Sequence, residues 1–482
     1  MSARLSALVQ RDLDEDPVIE GVTADSRKVR PGYLFAALPG AKADGRAFVG
    51  AAIKQGAAAV LAPDAFPGLA APVVQAHDPR RAYALAAAAF WRRQPEACVA
   101  VTGTNGKTSV AGFCRQIFSQ LGRASASMGT LGVRAGEVQL TPPGLTTPDA
   151  ADVARLLCEL ATGGITHLAL EASSHGLDQR RLDGVRLAAG AFLNLTQDHL
   201  DYHGDMATYR AAKLRLFDTL LPRGATAVLN ADSSAYSAFA ATAVSHGLSV
   251  VSVGAAGQSV RLLAREADLS GQRLTLRAFG RKYDVDLPLV GDFQATNALV
   301  AAGLCLAVGE SPDEVFAALG RLEGAPGRLQ RVGESADGAV AYVDYAHTPD
   351  GLETVLRALR GHARGRLVLV FGAGGDRDRT KRPLMGAAAA ALADLAFVTD
   401  DNPRSENPAL IRAEILSGGR GLIEAPGRAQ AIKAAVGSLE RGDILVVAGK
   451  GHEQGQVIGR DIVPFDDIAE TRRALGLDDG RG

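Results

Sequence analysis

The stretch ACVAVTGTNGKTSVAGFCRQIFSQLG, residues 97–122, decides the fold of the chain. It begins with a short apolar run that stops at Gly103, and such a run predicts a buried strand. Beyond the polar segment that follows, apolar residues recur at helical spacing, at Val110, Phe113, Ile117 and Leu121. Gly122 then ends the predicted helix. Strand, loop and helix in this order are the context that a phosphate-binding loop requires.

The loop itself, GTNGKT at 103–108, is shorter than the usual phosphate-binding pattern, which has more residues between its glycines. Val101 stands where the longer pattern has its first glycine. In a chain with 55 glycines such a motif can arise by chance. The strand and helix on either side make a phosphate site the better interpretation.

The residue types in this loop suit phosphate chemistry. Backbone N–H groups of residues 103–108 can converge on phosphate oxygens, assisted by the N-terminus of the following helix. Lys107 can reach the outer phosphates of a nucleotide, and the Thr108 hydroxyl can ligate Mg²⁺. Asn105 and Gly106 suit a turn that needs a positive φ.

Length and composition indicate a globular protein of several domains. The chain has 482 residues, too many for one core, and predicts about three domains. Its 52 basic and 53 acidic residues argue against nucleic acid or an anionic membrane as partner. The N-terminus lacks the apolar core of a signal peptide, and no apolar run reaches the roughly 18 residues of a membrane span. Without a CxxC pair, the scattered cysteines indicate thiols in a reducing, cytoplasmic compartment: Cys98, Cys114, Cys158 and Cys305.

Strand and helix signals alternate along the whole chain. Further apolar runs that end in polar residues predict strands at 166–173, 188–196 and 225–232. The expected fold class is α/β, with a central doubly wound, mostly parallel sheet that carries its ligands at the carboxyl ends of the strands.

Two segments indicate domain boundaries, at 91–97 and at the Gly- and Pro-rich 323–333. The expected domains are a smaller N-terminal α/β domain, the central sheet domain and a Rossmann-like C-terminal α/β domain, at 1–95, 96–326 and 327–482. In the last domain, apolar strands repeatedly run into loops that bear glycine, charge or histidine, which predicts a site.

A second polar cluster, LEASSHGLDQRRLDG at 170–184, follows a predicted strand of the same sheet. Glu171 ends that strand, where it could hold Mg²⁺ opposite Thr108. A glutamate at a strand end is usually just solvated, but its neighbours Ser173, Ser174 and His175 favour a site.

A third cluster, NLTQDHLDYHG at 194–204, precedes a helix that carries Lys213. Asp198, His199, Asp201 and His203 crowd this loop, which indicates either a metal site or a hydrogen-bonded turn. Taken alone, Lys213 has the pattern of a surface lysine.

Together these motifs resemble the Mur ligase family. The resemblance rests on GTNGKT, EASSHGL, NLTQDHLDYHG, ATNAL, DYAHTPD, GGDRDRTKRPLMG, DDNPR and AGKGHE, which cover all three predicted domains. That family has the same shortened phosphate loop, so Val101 need not be glycine. The implied activity is ATP-dependent addition of meso-2,6-diaminopimelate to UDP-N-acetylmuramoyl-L-alanyl-D-glutamate, a step of peptidoglycan precursor synthesis.

The resemblance also implies a mechanism and its residues. ATP would phosphorylate a free carboxylate to an acyl phosphate, which an incoming amine then attacks. Lys107 and Mg²⁺ would screen the anions, with Thr108 and Glu171 at the metal. Lys213 matches a lysine that is carbamylated to N6-carboxylysine, which would bind a second Mg²⁺ together with His199.

Substrate-binding residues follow from the same resemblance. The implied ATP contacts are Gly103, Thr104, Asn105, Gly106, Lys107, Thr108, Ser109, Asn297, Arg328, Asp344 and His347. The implied contacts of the UDP-muramoyl dipeptide are Ala24, Ser26, Thr146, Thr147, Ser173, Gln179 and Arg181. At Ala24 the family often has a larger apolar residue, and residues 40–45 match a neighbouring loop of the family only loosely.

Two loops of the last domain carry the expected amino-acid site. In the family, DNPR, here at 401–404, accompanies enzymes that add meso-diaminopimelate, whereas enzymes that add L-lysine differ there. The Arg404 guanidinium can grip a carboxylate, and Glu453 can accept from an ammonium group. The implied diaminopimelate contacts are Arg377, Asp401, Asn402, Pro403, Arg404, Gly449 and Glu453. The alternative is an ordinary Asx–Pro turn whose arginine is solvated.

Two other functions are compatible with parts of the pattern. A phosphate-loop binding module or switch would need no second metal, so Lys213 and the histidine-rich loop argue against it. A folylpolyglutamate synthase-like ligase shares the short loop and the three-domain plan, but DDNPR and the first domain favour the muramoyl substrate. The protein is expected to act as a monomer.

Overall fold

The structure is a computed structural model that describes residues 2–40, 44–136 and 138–477. The chain forms two compact units, of which the first comprises 1–261 and 298–318 and the second 262–297 and 319–482. No helix among the described residues is long and apolar enough to cross a membrane.

The N-terminal part of the first unit is built around a small parallel sheet. Its elements are β1 (Ala3–Arg4), α1 (Leu5–Val9), β2 (Val18–Ile19), β3 (Gly21–Thr23), β4 (Tyr33–Ala36), α2 (Val49–Lys54), β5 (Ala59–Ala62), β6 (Val73–Gln75) and α3 (Pro79–Trp91). The sheet has the order β3-β4-β5-β6, and each neighbouring pair is parallel. Asp78 caps α3 by accepting from the backbone N–H of Arg81.

The central part of the chain supplies a larger sheet. Its elements are β7 (Ala97–Thr102), α4 (Lys107–Gln120), β8 (Ser125–Gly129), β9 (Gly132–Ala135), β10 (Val138–Gln139), α5 (Ala150–Thr162), β11 (His167–Glu171), α6 (Ser174–Asp178), β12 (Leu187–Phe192), α7 (Leu200–His203), α8 (Met206–Arg215), β13 (Thr226–Asn230), α9 (Tyr236–Ser245), β14 (Ser249–Gly254), β15 (Val260–Ala267), β16 (Gln272–Ala278), β17 (Arg281–Leu287), α10 (Asp292–Ala307) and α11 (Pro312–Leu319).

The larger sheet of the first unit has the order β10-β9-β8-β11-β7-β12-β13-β14-β15. All pairs from β8 to β15 are parallel, and only β9 and β10 run antiparallel to their neighbours. The carboxyl ends of β11, β7 and β12 therefore lie side by side at one edge. The predicted α/β class with a mostly parallel sheet is confirmed.

The C-terminal part of the second unit contains its own sheet. Its elements are β18 (Gln330–Glu334), β19 (Val340–Asp344), α12 (Pro349–Arg360), β20 (Leu367–Phe371), α13 (Lys381–Leu392), β21 (Leu395–Val398), α14 (Pro408–Leu416), β22 (Ile423–Glu424), α15 (Arg428–Gly437), β23 (Ile444–Ala448), β24 (Gly455–Ile458), β25 (Asp461–Pro464) and α16 (Asp467–Ala474). The order is β18-β19-β23-β20-β21-β22, parallel except for β18.

The predicted strands appear in the structure with slightly shorter bounds. The apolar runs form β7, β11, β12 and β13, while the polar residues at their ends leave the sheet to form loops. Behind these strand ends, the Phe192 ring stacks on Phe239 with centroids 3.6 Å apart, and Phe217 meets Phe239 edge-on. These rings are buried, and the burial of each stabilises the fold by about 2–3 kcal/mol. This core keeps the strand ends in fixed positions.

Candidate nucleotide and amino-acid sites

The phosphate loop joins the end of β7 to the first turn of α4. Gly106 has φ of 91° and lies directly before Lys107, a backbone conformation that glycine adopts at low cost. A Cβ atom at Gly103 would lie 2.9 Å from the Cβ atom of Leu193, so this position also favours glycine. Gly106 therefore allows the turn, and Gly103 allows the segment directly after β12 to approach the loop closely.

Asn194, directly after β12, holds the loop in place. Its Oδ1 atom accepts from the backbone N–H groups of Thr104, at 3.1 Å, and Asn105, at 2.9 Å. Its Nδ2 atom donates to the carbonyl of Asn105. Sequence reasoning did not single out Asn194, although a polar residue directly after a strand of this sheet was a usable signal.

Two lysines converge on one carbonyl oxygen beneath the loop. The Nζ atom of Lys107 donates to the carbonyls of Gly103, at 3.0 Å, and Thr104, at 2.9 Å. The Nζ atom of Lys213 donates to the same Gly103 carbonyl at 2.7 Å. Two ammonium groups on one oxygen repel each other, so this position favours an added anion or the loss of one charge.

Lys213 is buried, so its interpretation as a surface lysine is wrong. It lies in α8, which Asp205 caps by accepting from the backbone N–H of Thr208, and its Nζ atom lies 4.5 Å from the centroid of the Tyr209 ring. Burial, reinforced by the nearby Lys107 ammonium, lowers the pKa of Lys213 well below its ordinary value. Burial thus shifts Lys213 toward its uncharged, nucleophilic form.

Glu171, at the end of β11, is also buried, so the solvated interpretation of this residue is wrong. The Thr108 hydroxyl donates to its Oε2 atom at 3.0 Å, and the backbone N–H of Thr130 donates to Oε1 at 2.9 Å. A side chain at Gly129 would overlap the carboxylate. Burial raises the pKa of Glu171, while the charge of Lys107 and these hydrogen bonds act against the rise.

The pair of Thr108 and Glu171 fits a magnesium ion. A hydroxyl and a carboxylate are hard oxygen donors, and the buried carboxylate lacks a bulk-solvent shell that would compete for it. No group of three or more His, Cys, Asp or Glu side chains in the described residues is arranged to hold a metal.

The histidine-rich loop forms a turn whose rings pack together. His199 has φ of 52° and lies directly before α7, at the N-cap position of that helix. Its ring lies 4.8 Å from that of His175 and 6.4 Å from that of Tyr209. His203 packs on Tyr209 from the other side of the turn, at 5.2 Å. The side chain of Asp201 lies outside the described residues.

The expected muramoyl-peptide residues of the central part form one hydrogen-bonded chain beside Glu171. The Thr147 hydroxyl donates to the Glu171 carbonyl and accepts from Ser173. Arg181 donates to the Thr147 carbonyl at 2.6 Å and to Gln179 at 2.7 Å.

Thr146 extends this chain of contacts. Its hydroxyl lies 2.9 Å from that of Thr130, the residue whose backbone N–H binds Glu171. The structure thus brings together all five expected residues of this part.

A cleft of about 1700 Å³ in the first unit contains the expected uridine residues. Ala24 and Ser26 line it, and so do Tyr83 and Asp149. The buried Tyr83 hydroxyl donates to Asp149 at 2.6 Å and accepts from the backbone N–H of Ala24 at 3.1 Å, a link that sequence reasoning missed. Of the loosely matched loop 40–45, residues 41–43 lie outside the described residues.

The remaining expected ATP residues belong to the second unit. Asp344 ends β19 and accepts from the backbone N–H groups of Leu329 and Ala346, both at 2.7 Å. The Arg328 guanidinium lies 4.7 Å over the Tyr345 ring. Asp344 therefore orders the two loops that carry Arg328 and His347.

Asn297 and His347 have local partners in the second unit. Asn297 is buried in α10 and donates to Gln294 at 3.2 Å. The Nδ1 atom of His347 lies 2.8 Å from the carbonyl of Tyr345, and the His347 carbonyl accepts from Lys381.

Six of the seven expected amino-acid residues lie on two loops, at the carboxyl ends of β21 and β23. Arg404 has φ of 52°, and its guanidinium donates to the Gly375 carbonyl at 2.8 Å, so it is anchored and half-buried. Asn402 donates to Glu453 at 3.0 Å, which joins the two loops. Arg377 is exposed on a third loop, after β20.

Gly449 and Pro403 are buried within these loops. A side chain at Gly449 would lie 3.0 Å from the Asp401 carboxylate, and its φ of 121° suits glycine. The structure therefore brings the DNPR and GKGHE loops together around a cluster of opposite charges.

The sheet edge, the short loop and its two converging lysines have the arrangement of the phosphate-loop class of proteins. Three family descriptions match the chain: "Mur ligase family, catalytic domain" at residues 18–91, "Mur ligase middle domain" at 101–305 and "Mur ligase, glutamate ligase domain" at 327–451. A Caulobacter vibrioides protein named UDP-N-acetylmuramoyl-L-alanyl-D-glutamate--2,6-diaminopimelate ligase is 64% identical over 99% of this chain and 100% of its own length. The chain belongs to the Mur ligase family and is a ligase.

Solved structures agree with this assignment. A structure titled UDP-N-acetylmuramoyl-L-alanyl-D-glutamate--2,6-diaminopimelate ligase has a TM-score of 0.78 and 34% identity, and covers 99% of each chain. Mycobacterium tuberculosis folylpolyglutamate synthase, complexed with ADP and AMPPCP, has a TM-score of 0.61 at 20% identity, covering 80% of this chain and 92% of its own. The second likeness concerns the fold alone.

We predict that Lys107→Ala abolishes ATP turnover and leaves the fold intact. The exposed part of the loop would lose the cation that reaches the outer phosphates, while the Gly103 carbonyl keeps its bond to Lys213. ATP turnover and thermal unfolding would be measured beside the exposed control Lys54→Ala. Wild-type turnover in a Lys107→Ala protein of unchanged stability would contradict the phosphate-loop assignment.

Proposed function

We propose that this ligase joins meso-2,6-diaminopimelate to UDP-N-acetylmuramoyl-L-alanyl-D-glutamate at the expense of ATP, in peptidoglycan precursor synthesis. The observation that carries the proposal is the pair of lysines on the Gly103 carbonyl, the half-buried Lys107 and the buried Lys213, next to a buried carboxylate. A site of this composition suits an anionic phosphoryl group that must meet a second anion. The printed names of the relative and of the solved structure supply the substrates.

The reaction would proceed through an acyl phosphate. The γ-phosphoryl group of ATP transfers to the free carboxylate of the UDP-linked dipeptide, and ADP leaves. The amine of the incoming amino acid attacks the acyl carbon, phosphate leaves and a proton is lost from nitrogen. Lys107 and the loop N–H groups that Asn194 does not bind would hold the phosphates and offset the charge that builds up during both steps.

Mg²⁺ would be held by the Thr108 hydroxyl and the Glu171 carboxylate, whose Oγ1 and Oε2 atoms lie 3.0 Å apart. When bound there, the ion supplies charge that screens the phosphates from the approaching carboxylate. Thr130 and the space at Gly129 fix the orientation of Glu171 for this role.

Lys213 would act after conversion to N6-carboxylysine. A buried amine with a lowered pKa is the form that reacts with carbon dioxide, and the product is an anion beside the Lys107 ammonium. This removes the clash of two cations at Gly103 and supplies oxygen ligands. With His199, the carbamate would hold a second Mg²⁺.

The cleft of the first unit would take the UDP-muramoyl dipeptide. Ala24 and Ser26, which line this cleft, are proposed at the uridine end. Thr146, Thr147, Ser173, Gln179 and Arg181 would bind the muramoyl peptide, and the Arg181 guanidinium suits a peptide carboxylate.

The second unit would contribute residues that bind the two other substrates, ATP and diaminopimelate. Asn297, Arg328, Asp344 and His347 are proposed as ATP contacts. Arg404 and Arg377 supply cations for the distal carboxylate of diaminopimelate, and Glu453 with Asp401 supplies acceptors for its ammonium group. Asn402, Pro403 and Gly449 complete this proposed site.

The proposed organisation has three domains with distinct tasks. Residues 1–95 would bind the UDP-muramoyl end, 96–326 ATP, and 327–482 the amino acid, a division that the three family matches support. We also propose a monomer in the cytoplasm, and the four cysteines, all free and buried, suit a reducing compartment.

Phosphate release tests the function directly. We expect ATP-dependent phosphate release only when the UDP-muramoyl dipeptide and meso-diaminopimelate are both present, with L-lysine used poorly. The competing function would show release with a folate and glutamate. Release with folate but not with the UDP-dipeptide would contradict the proposal and favour a folylpolyglutamate synthase.

We predict that Lys213→Ala is nearly inactive and is partly rescued by a small added carboxylate such as acetate. The reason is that the carbamate supplies oxygens, which a free carboxylate in the vacated space can replace. Activity would be measured against acetate concentration, with Lys433→Ala as an exposed control. Rescue by a small amine in place of acetate would show that positive charge is needed there, against the proposal.

We predict that Arg404→Ala loses about a hundredfold or more in kcat/KM for meso-diaminopimelate, since loss of a charged, partly buried carboxylate contact costs about 2–4 kcal/mol. The matched control is Arg420→Ala, an exposed arginine of the same unit. Rates for L-lysine would be measured in parallel. A variant that still strongly prefers diaminopimelate would place specificity elsewhere.

A further inference from the structure

Lys450 lies between the two amino-acid loops, and its side chain is fully buried. Its Nζ atom donates to Asn402 Oδ1 at 2.9 Å and to Glu453 Oε2 at 3.3 Å, and lies 3.6 Å from Asp401 Oδ1. Three of the proposed substrate-binding side chains thus meet at one ammonium group. A fully buried lysine is rare, and here every neighbour that balances its charge belongs to the proposed site.

This ammonium group fixes which way the Asn402 amide faces. Asn402 Oδ1 accepts from Lys450 and also from the backbone N–H of Val457, at 3.0 Å. Both lone pairs of that oxygen are therefore occupied, and Nδ2 is directed at Glu453 Oε2, at 3.0 Å. Toward a substrate, Asn402 can then act only as a donor.

The same contact orients the Glu453 carboxylate. Its bonds to Lys450 and Asn402 both involve Oε2, so within the described residues Oε1 is left to accept from a substrate ammonium group. A donor amide and an acceptor oxygen side by side match the carboxylate and ammonium of a zwitterionic end. Without the lysine, only the Val457 N–H would hold Oδ1, and the Asn402 amide and the Glu453 carboxylate would be less firmly oriented.

A second buried cation sits behind this group. Arg428 donates to both oxygens of the buried Asp467, at 2.7 and 2.6 Å, and to the carbonyl of Ala448 at 2.9 Å. Lys450 contacts the carboxylates of both Asp401 and Glu453 and offsets part of their charge, so it affects the electrostatics of the site as well as its geometry.

We infer that Lys450 is a positioning residue that holds Asn402 and Glu453 in the arrangement that recognises the zwitterionic end of the incoming amino acid. It does not touch the substrate and acts through these two side chains. The inference rests on the proposed function of the two loops. It adds a residue whose loss changes the choice of amino acid and leaves the other two substrates alone.

The test compares wild type with Lys450→Met, which keeps an unbranched side chain of similar length and removes the positive charge. We expect KM for meso-diaminopimelate to rise about 10- to 100-fold, with KM for ATP and for the UDP-dipeptide changed less than about threefold. The preference for diaminopimelate over L-lysine, measured as the ratio of kcat/KM values, should fall. Lys433→Met is the exposed control and should match wild type.

A double variant distinguishes positioning from a structural role. If Lys450 acts largely through Asn402, adding Lys450→Met to Asn402→Ala should raise KM for diaminopimelate far less than it does in the wild-type background. Independent, multiplicative effects would contradict the inference. So would equal increases in KM for all three substrates, which would indicate a general loss of structure.

Lys450→Arg keeps the charge and covers the case in which the methionine variant does not fold. Thermal unfolding should show a folded protein whose KM rises for diaminopimelate alone, by less than in Lys450→Met. Failure of both variants to fold would assign Lys450 to stability only and overturn the inference. If wild type releases no phosphate with diaminopimelate, the proposed function itself is wrong. If wild type is active and Lys450→Met has a normal KM for diaminopimelate, only the positioning role of Lys450 is wrong.

Discussion

The arrangement of the proposed nucleotide site depends on the carbonyl oxygen of Gly103. This oxygen lies where β7 ends, between the ends of β11 and β12, because these three parallel strands are neighbours in the sheet. That order brings Glu171 and Asn194 to either side of the loop. The strand order thus gathers a carboxylate, an amide and two ammonium groups that are distant in sequence.

Much of this arrangement was predictable because its signals are local. An apolar run, a glycine turn and a helical repeat lie within residues 97–122, and each depends only on near neighbours in sequence. The same holds for the polar ends of β11, β12 and β13, whose predicted strands differ from the structure only at their limits. Glu171 could be placed at the sheet edge, but its burial could not, because that depends on Gly129 and Thr130 from another strand.

Lys213 and Lys450 show where prediction from local pattern ends. Lysine is usually exposed, so residue type alone indicated the surface for Lys213. Only the resemblance to the family singled out Lys213, and nothing singled out Lys450. Their burial depends on residues that are distant in sequence. Lys213 donates to the Gly103 carbonyl, and Lys450 donates to the Asn402 side chain.

The proposed role of Lys213 requires its buried amine to become an anionic carbamate beneath the phosphate loop. Carbon-13 NMR of the full-length enzyme in ¹³C-labelled bicarbonate tests this most directly, with Lys213→Ala for comparison. The account predicts one carbamate resonance in active wild type that is missing from the variant and fades, together with activity, when carbon dioxide is removed. A fully active wild-type enzyme without a carbamate resonance would contradict the account.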